Sequence, residues 1–194
     1  ERAALERQSA ELAERARSSL RLNPEEAVGH AGRAIEVNPS NAQAYNLRAM
    51  GYLRMGRYGL AFNDSAAGLR IAQNNRALLN TQARALNRMG RFSDAKQAAS
   101  QALGLNPKDA DAWFNLANAE AGLGNRAATL EALRRAAELD PARFGRHYET
   151  AKNAPPDSDL AFLFEDGGAA SAQGGAQRAA GRSGKGGFGV LAAA

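Results

Sequence analysis

The chain has no cysteine. Disulfide bridges and every metal site built on thiolates are therefore excluded. The redox compartment stays open, because secreted proteins can also lack cysteine. Histidine occurs only as His30 and His147, over a hundred residues apart. Neither sits in a metalloprotease or zinc-finger spacing, and each reads as a surface or packing residue. Aromatic residues make up 6% of the chain, too few for a stacking platform on single-stranded nucleic acid. No apolar run reaches the roughly 20 residues that span a bilayer, and no signal peptide is visible. Cytoplasm and periplasm both stay open. The chain opens at Glu1 in place of Met, so a processed form or a fragment is expected.

Catalytic signatures are missing as well. There is no nucleophile elbow, Walker loop or dinucleotide fingerprint. Gly184-Lys185-Gly186-Gly187 lacks the spacing and the following helix of a phosphate loop. Asp109 with Asp111, and Asp157 with Asp159, read as helix-start or turn residues before they read as catalytic pairs. The expectation is a protein without catalysis, cofactor or metal.

What the sequence does contain is a period. Asn38-Pro39, Asn106-Pro107 and Asp140-Pro141 recur in one phase, and Gly56, Gly90 and Gly124 recur every 34 residues. Residues 42–55, 76–89 and 109–123 carry apolar positions three and four apart, the mark of a helix face. Each of these segments stops at one of the phased glycines, which supply left-handed helix caps. A second helix is predicted over 60–72, 93–105 and 126–139. Asn23-Pro24-Glu25-Glu26 predicts a helix start, with Asn as the cap and Pro in the first position. The first helix is expected to run from near the N-terminus to about Leu22. Ala83, Ala95, Ala102, Ala117 and Ala136 suit close contacts between antiparallel helices. A period of this length marks a helical solenoid, in which each unit buries its apolar face only on its neighbours.

The pattern resembles the tetratricopeptide repeat. Taken with proline as repeat position 32, the units are 8–41, 42–75, 76–109 and 110–143. The third unit carries Leu79, Ala83, Leu86, Gly90, Phe92, Ala95, Ala102 and Pro107. The second carries Tyr45, Ala49, Tyr52, Gly56, Tyr58 and Ala61 but departs with Gly68 and Gln73. The fourth carries Trp113, Leu116, Ala117, Gly124, Ala136 and Pro141 but departs with Glu120, Arg126 and Thr129. The first fits at Ala27, Ala34 and Pro39, with Arg15 where a small residue belongs. The resemblance implies an all-α, right-handed solenoid of antiparallel helix pairs. The Ala-, Gly- and Arg-rich composition suggests a GC-rich bacterial gene.

The resemblance also implies a function. Members use the concave face, lined by the first helix of each repeat, to bind peptides. Carried over by position, that face comprises Gln43, Asn46, Met50, Leu53 and Arg54, then Ala77, Asn80, Arg84, Asn87 and Arg88. The last unit adds Asp111, Phe114, Asn115, Asn118, Ala121 and Gly122. The asparagines suit a peptide backbone, the arginines suit carboxylates, and Met50, Leu53 and Phe114 suit an apolar side chain. The clamp that grips chaperone C-termini needs Lys, Asn, Asn, Lys and Arg at five positions. Here they hold Leu12, Ala16, Leu47, Ala77 and Thr81, or in the next frame Asn46, Met50, Thr81, Asp111 and Asn115. Neither set is that clamp.

Charge divides the chain. Residues 42–143 hold 14 Lys/Arg against 8 Asp/Glu, while 144–166 hold 2 against 5. A basic repeat body with an acidic segment after it favours an acidic protein partner or capping by the chain itself. The arginines are spread over all the helices, which disfavours nucleic acid. The alternative is a structural or assembly segment of a larger complex, acting through its outer helix faces.

Beyond the repeats, 142–153 predicts one more amphipathic helix with Phe144, His147 and Tyr148 on one side, placed to cover the last apolar face. Pro155-Pro156 ends it. The segment 154–166 holds Leu160-Ala161-Phe162-Leu163-Phe164 between acidic residues and is expected to link or to dock on the repeats. Residues 167–194 are rich in Gly and Ala and are expected to be disordered.

Overall fold

The computed structural model describes residues 1–164. The expected disordered tail and the last two residues of the linking segment lie outside the described residues. Nine α-helices follow one another in the described residues: α1 Arg2–Ser19, α2 Pro24–Val37, α3 Ala42–Arg54, α4 Tyr58–Ile71, α5 Arg76–Arg88, α6 Phe92–Leu105, α7 Ala110–Gly122, α8 Arg126–Leu139 and α9 Pro141–Asn153. A single 3-10 turn, Leu160–Phe164, comes last. The helices form antiparallel pairs, and each packs on the next in the chain. This is the all-α solenoid that the period predicts.

The turns inside the pairs show why glycine recurs. Gly56, Gly90 and Gly124 have φ of 71°, 73° and 77°, the left-handed region that a Cβ disfavours. The residue after each glycine donates its amide back across the helix end: Arg57 to the Tyr52 carbonyl at 2.8 Å, Arg91 to Leu86 at 2.9 Å and Asn125 to Glu120 at 2.8 Å. These six-to-one bonds satisfy carbonyls that the end of a helix would otherwise strand. Between pairs the device changes. Asn41, Asn75 and Asp109 cap α3, α5 and α7 through their side chains, and Asn23 caps α2.

Alanine dominates the core. Ala49, Ala83 and Ala117 hold the same repeat position on three helices and are fully buried, as are Ala61 and Ala95 on the helices they meet. Small side chains let helix axes approach closely. Gly68, a departure from the repeat pattern, follows the same logic. A Cβ there would lie 2.8 Å from the Leu78 methyls, so Leu78 fills the space an alanine would occupy.

The first pair differs from expectation in two ways. Helix α1 stops at Ser19, and residues 20–22 form a turn that brings Asn23 into place as the cap of α2. Arg15 stays exposed, because α1 turns Ser9, Ala13, Ala16 and Leu20 inward instead, at spacings of four and three. Ser9 fixes that orientation by donating to the Ala34 carbonyl at 2.7 Å.

At the other end, Asp140 accepts from the Arg143 amide and Pro141 opens α9 directly. The four-residue loop that separates α6 from α7 has no counterpart here. Helix α9 packs on α8, and the 160–164 turn packs on α7 and α9.

Two glycines in different backbone conformations should respond to alanine in opposite ways. Gly90→Ala forces an L-residue into the left-handed region and should destabilise the protein by about 1–2 kcal/mol. Gly104→Ala, in helix α6 with nothing within 4 Å of the added methyl, should be neutral or stabilise by up to about 1 kcal/mol. Urea denaturation of the two variants measures both.

Candidate functional site

Curvature defines the face to search. The first helices touch one another across repeats, α1 with α3, α3 with α5 and α5 with α7. The second helices α2, α4, α6 and α8 have no such close neighbours among themselves. A stack that is tight on one side and open on the other is concave on the tight side. That side carries every candidate residue of the sequence reading.

The structure places four of those asparagines between helices. On α3, Asn46 accepts from Thr81 Oγ1 at 2.7 Å, and its amide lies 3.7 Å from Met50 Sδ. On α5, Asn80 donates to Asp109 Oδ2 at 2.8 Å, and Asn87 donates to the Asn115 carbonyl at 2.9 Å. On α7, Asn115 donates back to the Asn80 carbonyl at 3.3 Å. These bonds bridge one repeat to the next. Oδ1 of Asn80 and of Asn87 is sealed from solvent and has no hydrogen-bond partner among the described residues. Leu53 packs against Ala49, Ala61 and Ala85, and Met50 packs against the core of the first two pairs.

Asp109 anchors this network although nothing in the sequence marked it beyond a helix start. It caps α7, accepts from Asn80 and pairs with Arg76 at 2.5 Å. Burial raises its pKa, but the hydrogen bonds from Arg76, Asn80 and the Ala112 amide outweigh that and hold it below the usual carboxylate value. Asp111 is taken by Arg143 of α9 at 2.5 Å.

The cations are arranged differently. Arg54 and Arg84 are exposed on the concave face, and neither makes a hydrogen bond or ion pair among the described residues. Arg84 is solvent-accessible yet hemmed in by the walls of the groove. That surround desolvates its guanidinium and lowers its pKa; Asp111 opposes the shift, while Arg54, Arg143 and Arg88 add to it. Arg88 lies over the Tyr58 ring at 5.4 Å and donates to the Phe164 carbonyl at 3.0 Å. Asn118 is half-buried, with no side-chain hydrogen bond among the described residues.

Phe114, half-buried, already has aromatic neighbours. Its ring stacks on Phe144 at 4.7 Å, meets His147 edge-on at 5.0 Å and Phe164 at 5.2 Å. The groove is thus closed at this end by α9 and the 160–164 turn. Arg126 explains how that cover is held. Tyr58 and Phe92 occupy its repeat position in the two preceding units. Arg126 instead donates to the carbonyls of Ala154 at 2.8 Å, Ala151 at 3.4 Å and Ser158 at 3.3 Å. Glu120, another departure, is buried, pairs with the exposed Lys96 at 2.8 Å and accepts from Asn125. At the opposite end the groove stays open. Helices α1 and α3 border a shallow, open hollow lined by Ala10, Glu11, Glu14, Arg15 and Gln43.

No group of three or more metal-ligating side chains occurs among the described residues, and no described helix is long and apolar enough to cross a membrane. His147 is the histidine of this cover. Burial lowers its pKa below 6.5, the Arg143 carbonyl partly opposes, and the Arg146 charge adds to the lowering. The folded protein therefore binds this proton less readily than the unfolded chain, so stability is lost as pH falls below about 6.5 toward the lowered folded value. The melting temperature should drop between pH 7 and pH 5, and His147→Phe should flatten that part of the profile.

Comparison with known proteins agrees with this geometry. The sequence profile of the tetratricopeptide repeat family matches residues 14–76 and 80–144. No curated protein sequence matches the chain. Among solved structures, MamA from Desulfovibrio magneticus RS-1 superposes with a TM-score of 0.64 at 18% identity, over 75% of this chain and 84% of that one. The second such domain of human RPAP3, solved with an HSP70 peptide, gives 0.56 at 21%, over 62% and 98%. An O-GlcNAc transferase mutant from Thermobaculum terrenum gives 0.63 at 19%, over 71% of this chain and 26% of that one. Bacterial and human proteins share the fold, so the fold does not assign a source. With the profile covering most of its length, this chain belongs to the tetratricopeptide repeat family.

Proposed function

We propose that the protein is a noncatalytic scaffold whose concave face binds an extended, acidic segment of a partner protein. The observation that carries this reading is the state of Arg84. It stands in mid-groove without an ion pair among the described residues, beside Arg54, Arg88 and Arg143. The carboxylate that faces it, Asp111, is already held by Arg143. Clustered, partly desolvated guanidinium groups repel one another, and a carboxylate-bearing ligand relieves that repulsion.

On this reading the residues of the face fall into two groups. Asn46, Asn80, Asn87 and Asn115 hold neighbouring first helices in register. Arg54, Arg84, Arg88 and Asn118 are the groups we assign to the ligand. The RPAP3 domain supports the peptide mode, since its structure contains the peptide SGPTIEEVD, which carries three carboxylate side chains. The chain-end clamp is not reproduced here. Asp111 holds a position where that clamp needs a cation, so an internal acidic segment is the better match. Binding through outer helix faces would leave Arg84 without a role.

Replacing Arg84 with Glu should weaken binding of an acidic peptide about fivefold to tenfold, equivalent to about 1–1.4 kcal/mol, the scale of a partly solvated ion pair. It should also flatten the salt dependence of affinity. Calorimetric titration of a Glu- and Asp-rich ten-residue peptide at two salt concentrations measures this. Equal affinity for parent and variant would remove the groove reading and favour assembly through the outer faces.

A further inference from the structure

The 160–164 turn is more than a cover. Leu160 and Leu163 are each 3% exposed and join the core cluster of Ala117, Ala121 and Ala151. Phe164 lays its ring on Phe114, and its carbonyl accepts from Arg88 at 3.0 Å. Phe114, Ala117 and Ala121 lie on α7 and Arg88 on α5, the helices that carry Asn118 and Arg84, while Ala151 belongs to α9 and the same cluster takes in Ala132 and Leu133 of α8. The turn thus occupies the end of the same concave face. Its sequence neighbours are Asp157 and Asp159 on one side and Glu165 and Asp166 on the other, opposite in sign to the repeat body.

We propose that this end of the groove is a receptor for a protein segment with two leucines and a phenylalanine spaced i, i+3, i+4 between carboxylates, and that residues 160–164 are its resident occupant. The proposal rests on the groove reading and specifies the partner's chemistry: apolar side chains for the Phe114 end, carboxylates for the arginines.

The occupant is built to leave. It is one short 3-10 turn, set off from α9 by Pro155-Pro156, which cannot continue that helix. Arg126 ties the chain down only as far as Ser158, ahead of the apolar residues. Tethering gives the resident segment a high effective concentration, so a free segment of equal chemistry competes poorly. A partner that continues along the groove to Arg84 and Asn118 gains contacts with two groups that, among the described residues, have no hydrogen-bond partner.

The test is a competition in trans. A fluorescein-labelled peptide with the sequence of residues 157–166, DSDLAFLFED, is titrated by anisotropy into the full chain and into its Leu160→Asp/Leu163→Asp variant. The variant should bind at least tenfold more tightly, because its own segment no longer fills the site. Equal affinity for both chains, or no binding to the variant, overturns the proposal. Circular dichroism melting checks that the variant is folded. If it is not, Phe164→Ala takes its place, with an expected gain of at least threefold and the same overturning outcomes. A second peptide, with Leu160, Leu163 and Phe164 replaced by serine, separates the two readings. If it binds both chains as tightly as the first peptide, the apolar receptor fails and the acidic groove stands. If the first peptide binds the double variant without any effect of salt or of Arg84→Glu, the apolar receptor stands and the acidic groove fails.

Discussion

A unit of two helices has only one place to bury its apolar face: against the unit beside it. Every other feature of this protein follows from that constraint. It makes the interfaces alanine-rich, because two helix layers must approach closely over a thin core. It ties neighbouring first helices by asparagine and aspartate bonds, Asn46 to Thr81 and Asn80 to Asp109. It also leaves the last unit with a face that nothing in the repeat covers. Helix α9 and the 160–164 turn meet that need, and in doing so they bring Phe144, His147 and Phe164 onto Phe114. The end cover and the concave face therefore meet at one aromatic residue.

The fourth unit departs from the repeat pattern at three positions, and each departure has a physical use. Arg126 replaces an aromatic ring with a guanidinium that collects the carbonyls at the end of α9. Glu120 exchanges an apolar contact for a pair with the exposed Lys96; burial raises its pKa, but the hydrogen bonds from Lys96 and Asn125 outweigh that and lower it. Thr129 returns its hydroxyl to the Asn125 carbonyl. A unit that ends a stack meets a different neighbour from a unit inside it, and its side chains differ accordingly.

The helices were legible because their determinants are local. A left-handed glycine, an Asx cap and a three-four spacing can be read within a few residues, and Gly56, Gly90 and Gly124 give the phase directly. The concave face was legible as a set of positions but not as a set of roles. Asn80 and Asn118 look alike in sequence, yet Asn80 bonds Asp109 and Asn118 bonds no described side chain. The partners lie about one repeat away, Asn46 with Thr81, Arg76 with Asp109, Arg143 with Asp111. Polar residues that recur about one period apart were the available signal. Phe114 was read as a ligand contact because its occupant, Phe164, lies fifty residues further on and belongs to no repeat.

We assign ligand binding to the concave face, centred on Arg84, with the Phe114 end occupied by the 160–164 turn. Side-chain and amide chemical-shift mapping of the full chain with an acidic peptide tests it most directly. Shifts should concentrate at Arg54, Arg84, Arg88 and Asn118. Larger shifts on the outer helices, around Glu131 and Arg134 of α8 or Arg91 and Asp94 at α6, with Arg84 unmoved, would contradict it.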